Sequence, residues 1–543
     1  MGCFGGMIPI FGVADVEPAE RTQDMAAHRA YDTLEQLFAR LSHIEQALGV
    51  LQWDMATMMP PGGAEDRAHQ LATLKALHHD LLTGRDVGPL LEAAGGESLD
   101  DWQAANLREM RRDWGHAAAV PTRLVEAVSR ASSACEMAWR KARPAADFAL
   151  LAADFDELLR LTREIAEVKG QALGLAPYDA LLDQYEPGGR AAVIDSLFDQ
   201  LEGFLPDLLR RAQARQTARP AGPQGPFPVE RQRQLAVRMM EILGFDFEHG
   251  RLDVSRHPFC GGSRDDVRIT TRYDEQDFMP SLMAVLHETG HALYERGLPA
   301  AWRHQPVGRA RGMGVHESQS LLMEMQACRS REFLSFAAPL MAEAFGAAGE
   351  NGWEAETLHA VNVRVEPGFV RVDADEVSYP AHVILRYRLE RSLIAGELEV
   401  GGIPGAWNRS CETLLGLTPP DDRLGCLQDI HWYDGAFGYF PTYSLGAMTA
   451  AQLFEAALEA VPTLPSAIAE GNFRPLLAWL GEAVHGKGSL FDSDTLLTKA
   501  TGRPLDVQAF RRHLERRYLG EHLYGRDGLA SVCARRDVME RER

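Results

Sequence analysis

Residues 287–291 read His-Glu-Thr-Gly-His. On a helix the two histidines stand at i and i+4 on one face, close enough for both imidazoles to reach one ion. Zinc suits imidazole, and a catalytic zinc needs a third protein ligand and an open position for water. Glu288, beside the pair, is placed to take a proton from that water. No H-x-x-G-x-x-H continuation follows, which excludes the metzincin arrangement. Glu317 comes 26 residues after His291, in Gly314-Val-His316-Glu317-Ser318-Gln319-Ser320 at the opening of a second helical stretch. It is the natural carboxylate for a His₂Glu set. The competing reading makes it an early-helix acid that complements the helix dipole.

The elements that must carry these residues are mostly helical. From about Ala26 to Arg219, apolar residues recur at three- and four-residue spacing, as in Leu34, Leu37, Phe38 and Leu41. Breaks are expected at Met59-Pro-Pro-Gly-Gly, at Glu186-Pro-Gly-Gly and at Pro220-Ala-Gly-Pro-Gln-Gly-Pro-Phe-Pro228. The last reads as a linker or as a surface loop within one fold, with helix resuming at Val229. One segment, Asp266-Val-Arg-Ile-Thr-Thr-Arg-Tyr, alternates and is rich in β-branched residues, which predicts a strand. Pro280 then suits the first turn of the helix bearing His287, and Gly297-Leu-Pro299 predicts its end.

Composition narrows the class. Across 543 residues, Asp+Glu 77 against Lys+Arg 56 gives a net charge of −21, a surface that repels phosphate backbones and anionic membranes. Nucleic acid and membrane are therefore not expected partners, and no apolar run is long enough for a transmembrane helix. The seven cysteines are scattered without a C-x-x-C pair, which fits a reducing, cytoplasmic location better than a disulfide framework. Residues 1–24 read as a mobile leader or an over-called start. Met-Gly-Cys suggests lipidation, but Gly6 stands where Ser or Thr is wanted.

Taken together, the motifs resemble the M32 metallocarboxypeptidases, the family of carboxypeptidase Taq. The resemblance runs from about Tyr31 to Gly525. It rests on Trp53-Asp-x-x-Thr57-x-Met59-Pro, Tyr178-Asp-Ala-Leu-Leu-Asp-Gln-Tyr-Glu-Pro-Gly, His257-Pro-Phe259 and Asp266-Val-Arg268-Ile-Thr270. It continues through His287-Glu-x-x-His291, His316-Glu-Ser-Gln and Gly425-Cys-Leu-Gln428-Asp429-Ile-His431-Trp432. The resemblance implies a mainly α-helical, saddle-shaped peptidase of the gluzincin type, with a deep groove and a small β element beside the metal helix. It implies one domain over 25–525, its helical part about 25–219 and its metal-site part about 227–525, followed by a tail at 526–543. It also implies a homodimer, broad-specificity release of C-terminal amino acids from peptides, and one zinc per subunit, with cobalt as a candidate substitute. Carried over, His287, His291 and Glu317 are the metal ligands and Glu288 the general base. The chain departs from the family pattern at Leu321 and Met323, where an arginine and an aromatic are usual, and at Arg388, which replaces an acid.

The remaining roles follow from chemistry. A zinc-bound water is acidified towards roughly pH 7 and the scissile carbonyl polarised. The resulting oxyanion needs further donors. His431, as an imidazolium, and one tyrosine of the Tyr433–Tyr443 segment, taken as Tyr443, are the candidates. An exopeptidase must also recognise the chain end, and arginine's planar fork suits a carboxylate. Arg371 is the first choice and Arg386 the second, against a structural salt bridge from Arg371 to Asp373, Asp375 or Glu376. The strand at Arg268–Arg272 is expected to be an edge able to pair with an extended peptide, with Arg268 contacting substrate. His257 and Asp266 are expected to support the metal site from behind. The rival activities are an endo-oligopeptidase or dipeptidyl carboxypeptidase on the same scaffold, or a silent peptide-binding protein.

Overall fold

The computed structural model describes residues 29–347 and 349–520. The leader expected at 1–24 and the tail expected at 526–543 lie outside the described residues. The first half is helical throughout, in α1 (Ala30–Thr57), α2 (Ala64–Leu82), α3 (Val87–Ala94), α4 (Asp101–Ala118), α5 (Thr122–Ala145), α6 (Ala152–Leu173), α7 (Pro177–Leu182) and α8 (Ala191–Arg215). After the loop at 216–228 come α9 (Val229–Leu243), β1 (Gly250–Val254), β2 (Phe259–Ser263), β3 (Asp266–Thr271), α10 (Met279–Gly297) and α11 (Gly312–Leu321). A π-helical segment, Leu322–Cys328, continues α11. The chain closes with α12 (Arg331–Phe345), α13 (Ala355–Asn362), α14 (Tyr379–Ala395), α15 (Ile403–Leu415), α16 (Pro441–Ala460), α17 (Leu464–Ala469), α18 (Arg474–Ala483), α19 (Ser493–Thr501) and α20 (Val507–Leu519). No described helix is long and apolar enough to cross a membrane.

The expected periodicity is what packs. Leu34, Phe38 and Leu41 of α1 are buried with Leu91 and Met110 in one cluster, while Leu37 is partly buried at its edge. The two halves share the largest cluster, where Phe155, Phe198 and Leu201 of the first half meet Leu385, Tyr387 and Trp407 of the second. The proline-rich stretch at 220–228 is a loop in that interleaved arrangement. Its Phe227 is buried against Phe278, Phe345 and Trp353, with ring centroids 4.9, 5.0 and 6.2 Å away.

The β element differs from expectation in one consequential way. Strand order is β1-β3-β2, with β1 parallel and β2 antiparallel to β3. The predicted strand is therefore the central one, and both of its hydrogen-bonding edges are taken. Arg268 pairs with Arg251 on one side and Gly261 on the other, so the expected pairing of this strand with a peptide is ruled out. The edges belong to β1 and β2, which the sequence hides: Gly-Arg-Leu-Asp-Val is short and charged, and Phe-Cys-Gly-Gly-Ser is glycine-rich. Tertiary packing overrides that weak propensity. Val267 and Ile269 bury the sheet face on Val285 and Ala292 of α10, which fixes the metal helix from one side. On its other side Leu282, Met283 and Leu286 enter the cluster of α9 and α12.

Candidate metal centre

Helix α10 opens with Pro280 in its first turn, where a missing N–H is harmless, and carries His287 and His291 on one face. Gly290 lies between them because α11 passes too close for a side chain. A Cβ there would stand 2.5 Å from the Gln319 carbonyl oxygen and 2.7 Å from Ser320 Cα. That approach brings Glu317 to the histidines. Its Oε2 is 3.4 Å from His291 Nε2 and 3.9 Å from His287 Nε2. Glu317 is the sixth residue of α11, beyond the first turn, so the dipole reading does not account for its position. Gly446 of α16 makes room behind it, since a Cβ there would sit 2.8 Å from Glu317 Cβ.

One ligand atom from each of His287, His291 and Glu317 lies within 4.8 Å of the others. Two imidazoles and a carboxylate suit a divalent ion of the zinc kind, and the set leaves a position open. The ring orientation agrees: His287 Nδ1 donates to Glu324 Oε2 at 3.0 Å, which turns Nε2 and its lone pair toward the set. Three acids, Glu288, Glu317 and Glu324, crowd His287. Burial opposes charging His287, but the hydrogen bond to Glu324 and the nearby Glu317 and Glu288 outweigh it and raise its pKa to about 10. Burial also opposes ionising Glu317, yet the neighbouring histidines hold it at about 2. His291, buried beside His316 and His287, is pulled down to about 4. These three groups fit a cation. Glu288 makes no such bond, and burial, with Glu317 nearby, pushes its pKa up to about 7, the range a general base needs.

Glu324 was not legible as a partner. The π-helical segment sets it, since one widened turn carries it back toward α10, where Arg329 Nη2 also holds it at 2.8 Å. His257 and Asp266, expected in this supporting role, make no hydrogen bond to His287, His291 or Glu317 among the described residues. Asp266 accepts instead from Arg268 Nε and Nη2 at 2.9 and 2.7 Å, and Ser255 Oγ donates to the His257 carbonyl. Arg268 itself lies over the Trp53 ring at 4.3 Å, drawn to Asp266 and an aromatic face within its own neighbourhood.

Beside the metal set stands a cationic and aromatic cluster. Tyr443 lies three residues before Gly446, on the face of α16 that meets Glu317. Its hydroxyl is 3.3 Å from His431 Nε2. Burial holds the Tyr443 phenol well above its usual range, so it is a proton-bearing donor. His431 departs from expectation. Burial lowers its pKa to about 4, against the attraction of Asp429 and with help from Arg371 and Arg386, so it is a neutral imidazole rather than an imidazolium.

Arg371 is buried and gives Nε and Nη2 to Asp429 Oδ1 at 3.2 and 2.9 Å, and Nη1 to Tyr379 Oη at 3.0 Å. Its carbon is 4.7 Å from the Tyr443 ring centroid. The acid that holds it is thus Asp429, not Asp373, Asp375 or Glu376. Asp375 is occupied by the backbone N–H groups of Val377 and Ser378, and Glu376 by His513, Arg517 and Tyr518. Gln428 fixes the same arginine through its backbone, accepting from Arg371 N at 2.9 Å. Arg386, the second choice, is fully enclosed, with Nε on Asp429 Oδ2 at 2.6 Å and Nη1 on the His382 carbonyl at 2.7 Å. It orients Asp429 from beneath and has no open face for substrate. Tyr379 and Asp429 are the members the sequence did not single out. The signal lay in Gln428-Asp429, whose pairing with Arg371 across 57 and 58 residues and with Arg386 across 43 no spacing reveals. The departures sit elsewhere: Leu321 and Met323 are core residues, and Arg388 pairs with Asp195 at 2.7 Å and Glu202 at 3.4 Å on α8.

The model of the carboxypeptidase Taq (M32) metallopeptidases matches residues 33–518. Thermostable carboxypeptidase 1 of Thermus thermophilus is 39% identical over 517 residues, covering 92% of this chain and 100% of that protein. Carboxypeptidase 1 of Bacillus subtilis is 33% identical, covering 90% of this chain and 97% of its own. Among solved structures, metallocarboxypeptidase 1 of Trypanosoma cruzi superposes with a TM-score of 0.88 at 42% identity, over 90% of this chain and 99% of that one.

Proposed function

The chain belongs to the carboxypeptidase Taq (M32) metallopeptidases, and from that premise we propose that it releases single amino acids from peptide C-termini with broad side-chain tolerance, using zinc, or cobalt in its place. That it is a metallocarboxypeptidase follows from the family and its relatives. The finer reading is carried by one observation: the donor atoms of His287, His291 and Glu317 converge within 4.8 Å, with Glu288 adjacent.

A divalent ion held by these three residues would polarise the scissile carbonyl and acidify a water molecule. Glu288 takes the proton of the attacking water and returns it to the leaving amine. Tyr443 donates its O–H to the developing oxyanion, and His431 holds that hydroxyl in place. Arg371 uses one N–H of each terminal nitrogen internally and keeps one on each for the substrate's terminal carboxylate. Buried between aromatic rings, that pair is strengthened by the absence of water.

Mass spectrometry of a digested synthetic decapeptide, with and without chelator, is the test. The expected result is a chelator-sensitive ladder of single-residue losses. Dipeptide steps or internal cleavage would overturn the reading in favour of a dipeptidyl carboxypeptidase or endo-oligopeptidase.

A further inference from the structure

The far end of α16 borders a cavity of about 550 Å³, within the roughly 300–1,000 Å³ range of small-molecule sites. Its residues Ala451 to Leu458 follow Tyr443 by two turns or more, roughly 12 Å along the helix axis at the nearest. One wall is apolar, with Phe454, Leu458 and Ile468. The other is cationic, with Arg331, His359, Arg516 and Arg517. Arg331, His359 and Arg517 also line an adjoining cavity of about 190 Å³. For a chain of net charge −21, this is an unusual local excess.

The acids nearby are mostly engaged. Glu356 pairs with Arg331, and Glu376 accepts from His513 at 2.7 Å and Arg517 at 3.0 Å. Both oxygens of Glu455 are held by Arg503 and Arg512. Glu332 stands exposed on the rim. Two donors are left over. Arg516 is exposed and has no hydrogen bond or ion pair among the described residues. His359 is only 7% exposed, lines both cavities, and its ring has no hydrogen-bond partner among the described residues. Its ring nitrogens are not sealed from the cavity, so a group entering there can reach them.

We propose that this cavity is a second ligand site, separate from the metal centre, for an organic anion: an oxyanion head, phosphate or carboxylate, on an apolar body the size of one ring. The head accepts from His359 and Arg516, with Arg517 and Arg331 as flanking charge, and the body lies on Phe454, Leu458 and Ile468. His359 donates from one ring nitrogen, and an anion beside it favours its protonation.

The test is calorimetric titration of the full chain, chelator-treated so that the metal centre takes no anion. The probes are phenyl phosphate, 3-phenylpropanoate, inorganic phosphate and phenol. Beyond any carboxylate binding at Arg371, which Arg516→Glu leaves intact, one or both amphipathic anions should saturate one further site at least tenfold more tightly than inorganic phosphate or phenol. Whichever of the two binds tighter identifies the head as phosphate or carboxylate. Arg516→Glu, on the surface, and His359→Ala should each weaken binding roughly tenfold or more, the order of a hydrogen bond to a charged group. Arg516→Glu keeps the test decisive if His359→Ala fails to fold. Absence of saturable binding, equal affinity for phenyl phosphate and inorganic phosphate, or affinity unchanged in Arg516→Glu would overturn the site.

Discussion

The metal set and the arginine–tyrosine cluster both pack against helix α16 but are built on opposite electrostatic plans. Around His287 and His291 the surplus is negative: Glu288, Glu317 and Glu324 all lie close, and, despite burial, His287 is raised to about 10. Around His431 the surplus is positive: Arg371 and Arg386 share the single acid Asp429, and burial with those arginines lowers His431 to about 4. Each region is thus short of one partner. The first is complementary to a cation and the second to an anion, which the proposed function supplies as the substrate's carboxylate. Water exclusion strengthens both complementarities and makes either costly to leave unfilled.

The sharpest way to break the negative side is to remove its one uncommitted acid. Glu288→Gln should retain metal and lose about 10²- to 10⁴-fold in kcat, the usual contribution of a general base. Metal analysis and steady-state kinetics on one sample check it, and near-normal turnover would sink the assignment. Glu317→Ala should instead release the metal, seen as loss of bound zinc after dialysis.

On the positive side, Asp429→Asn frees both arginines at once. It should raise KM for free-acid peptides by one to two orders of magnitude while leaving C-terminal amides nearly unchanged. Removing one member of a buried charge group also costs about 3–5 kcal/mol, so the melting temperature should fall as well. Equal effects on acids and amides would show that the cluster is structural and would erase the contrast. Glu324→Gln is a milder probe of the negative side. It should weaken metal affinity by roughly 10- to 100-fold, the ordinary range for a group that orients a ligand histidine. A competition titration with a chromogenic chelator reads this.

The two regions also differ in how far the sequence discloses them. The convergence of the three candidate metal ligands was legible because helical spacing sets two of them, and the resemblance pointed to the third. The helical first half was legible for the same reason, since a 3.6-residue period survives in any helix with one buried face. The cluster was legible only as a list of residue types. Arg371, Tyr379, Arg386, Asp429, His431 and Tyr443 come from three separated segments, and which acid holds which arginine depends on the packing of α14 and α16. Glu324 escaped because a π-helical turn, not α-helical spacing, aims it at His287. The central position of β3 escaped because its neighbours have little strand character of their own.

The smallest expected effect tests the electrostatic contrast directly, through the pH dependence of stability in the chelated protein. His431 has a folded pKa of about 4, below the ordinary 6.5, so the unfolded chain binds a proton more readily. Stability is therefore unaffected above about pH 6.5 and is lost as pH falls toward 4. His287, raised to about 10, works the other way: its contribution is complete below 6.5 and is lost as pH rises toward 10. His431→Gln removes the acid-side loss alone. Between pH 7.5 and 5.5 that loss is roughly 1 kcal/mol, or about a degree or two of melting temperature for a chain this size. The variant should accordingly melt with a shallower acid slope than the parent and an unchanged alkaline slope. If both slopes match the parent, neither burial nor the neighbouring arginines hold His431 neutral, and the contrast between the two regions fails at its electrostatic root.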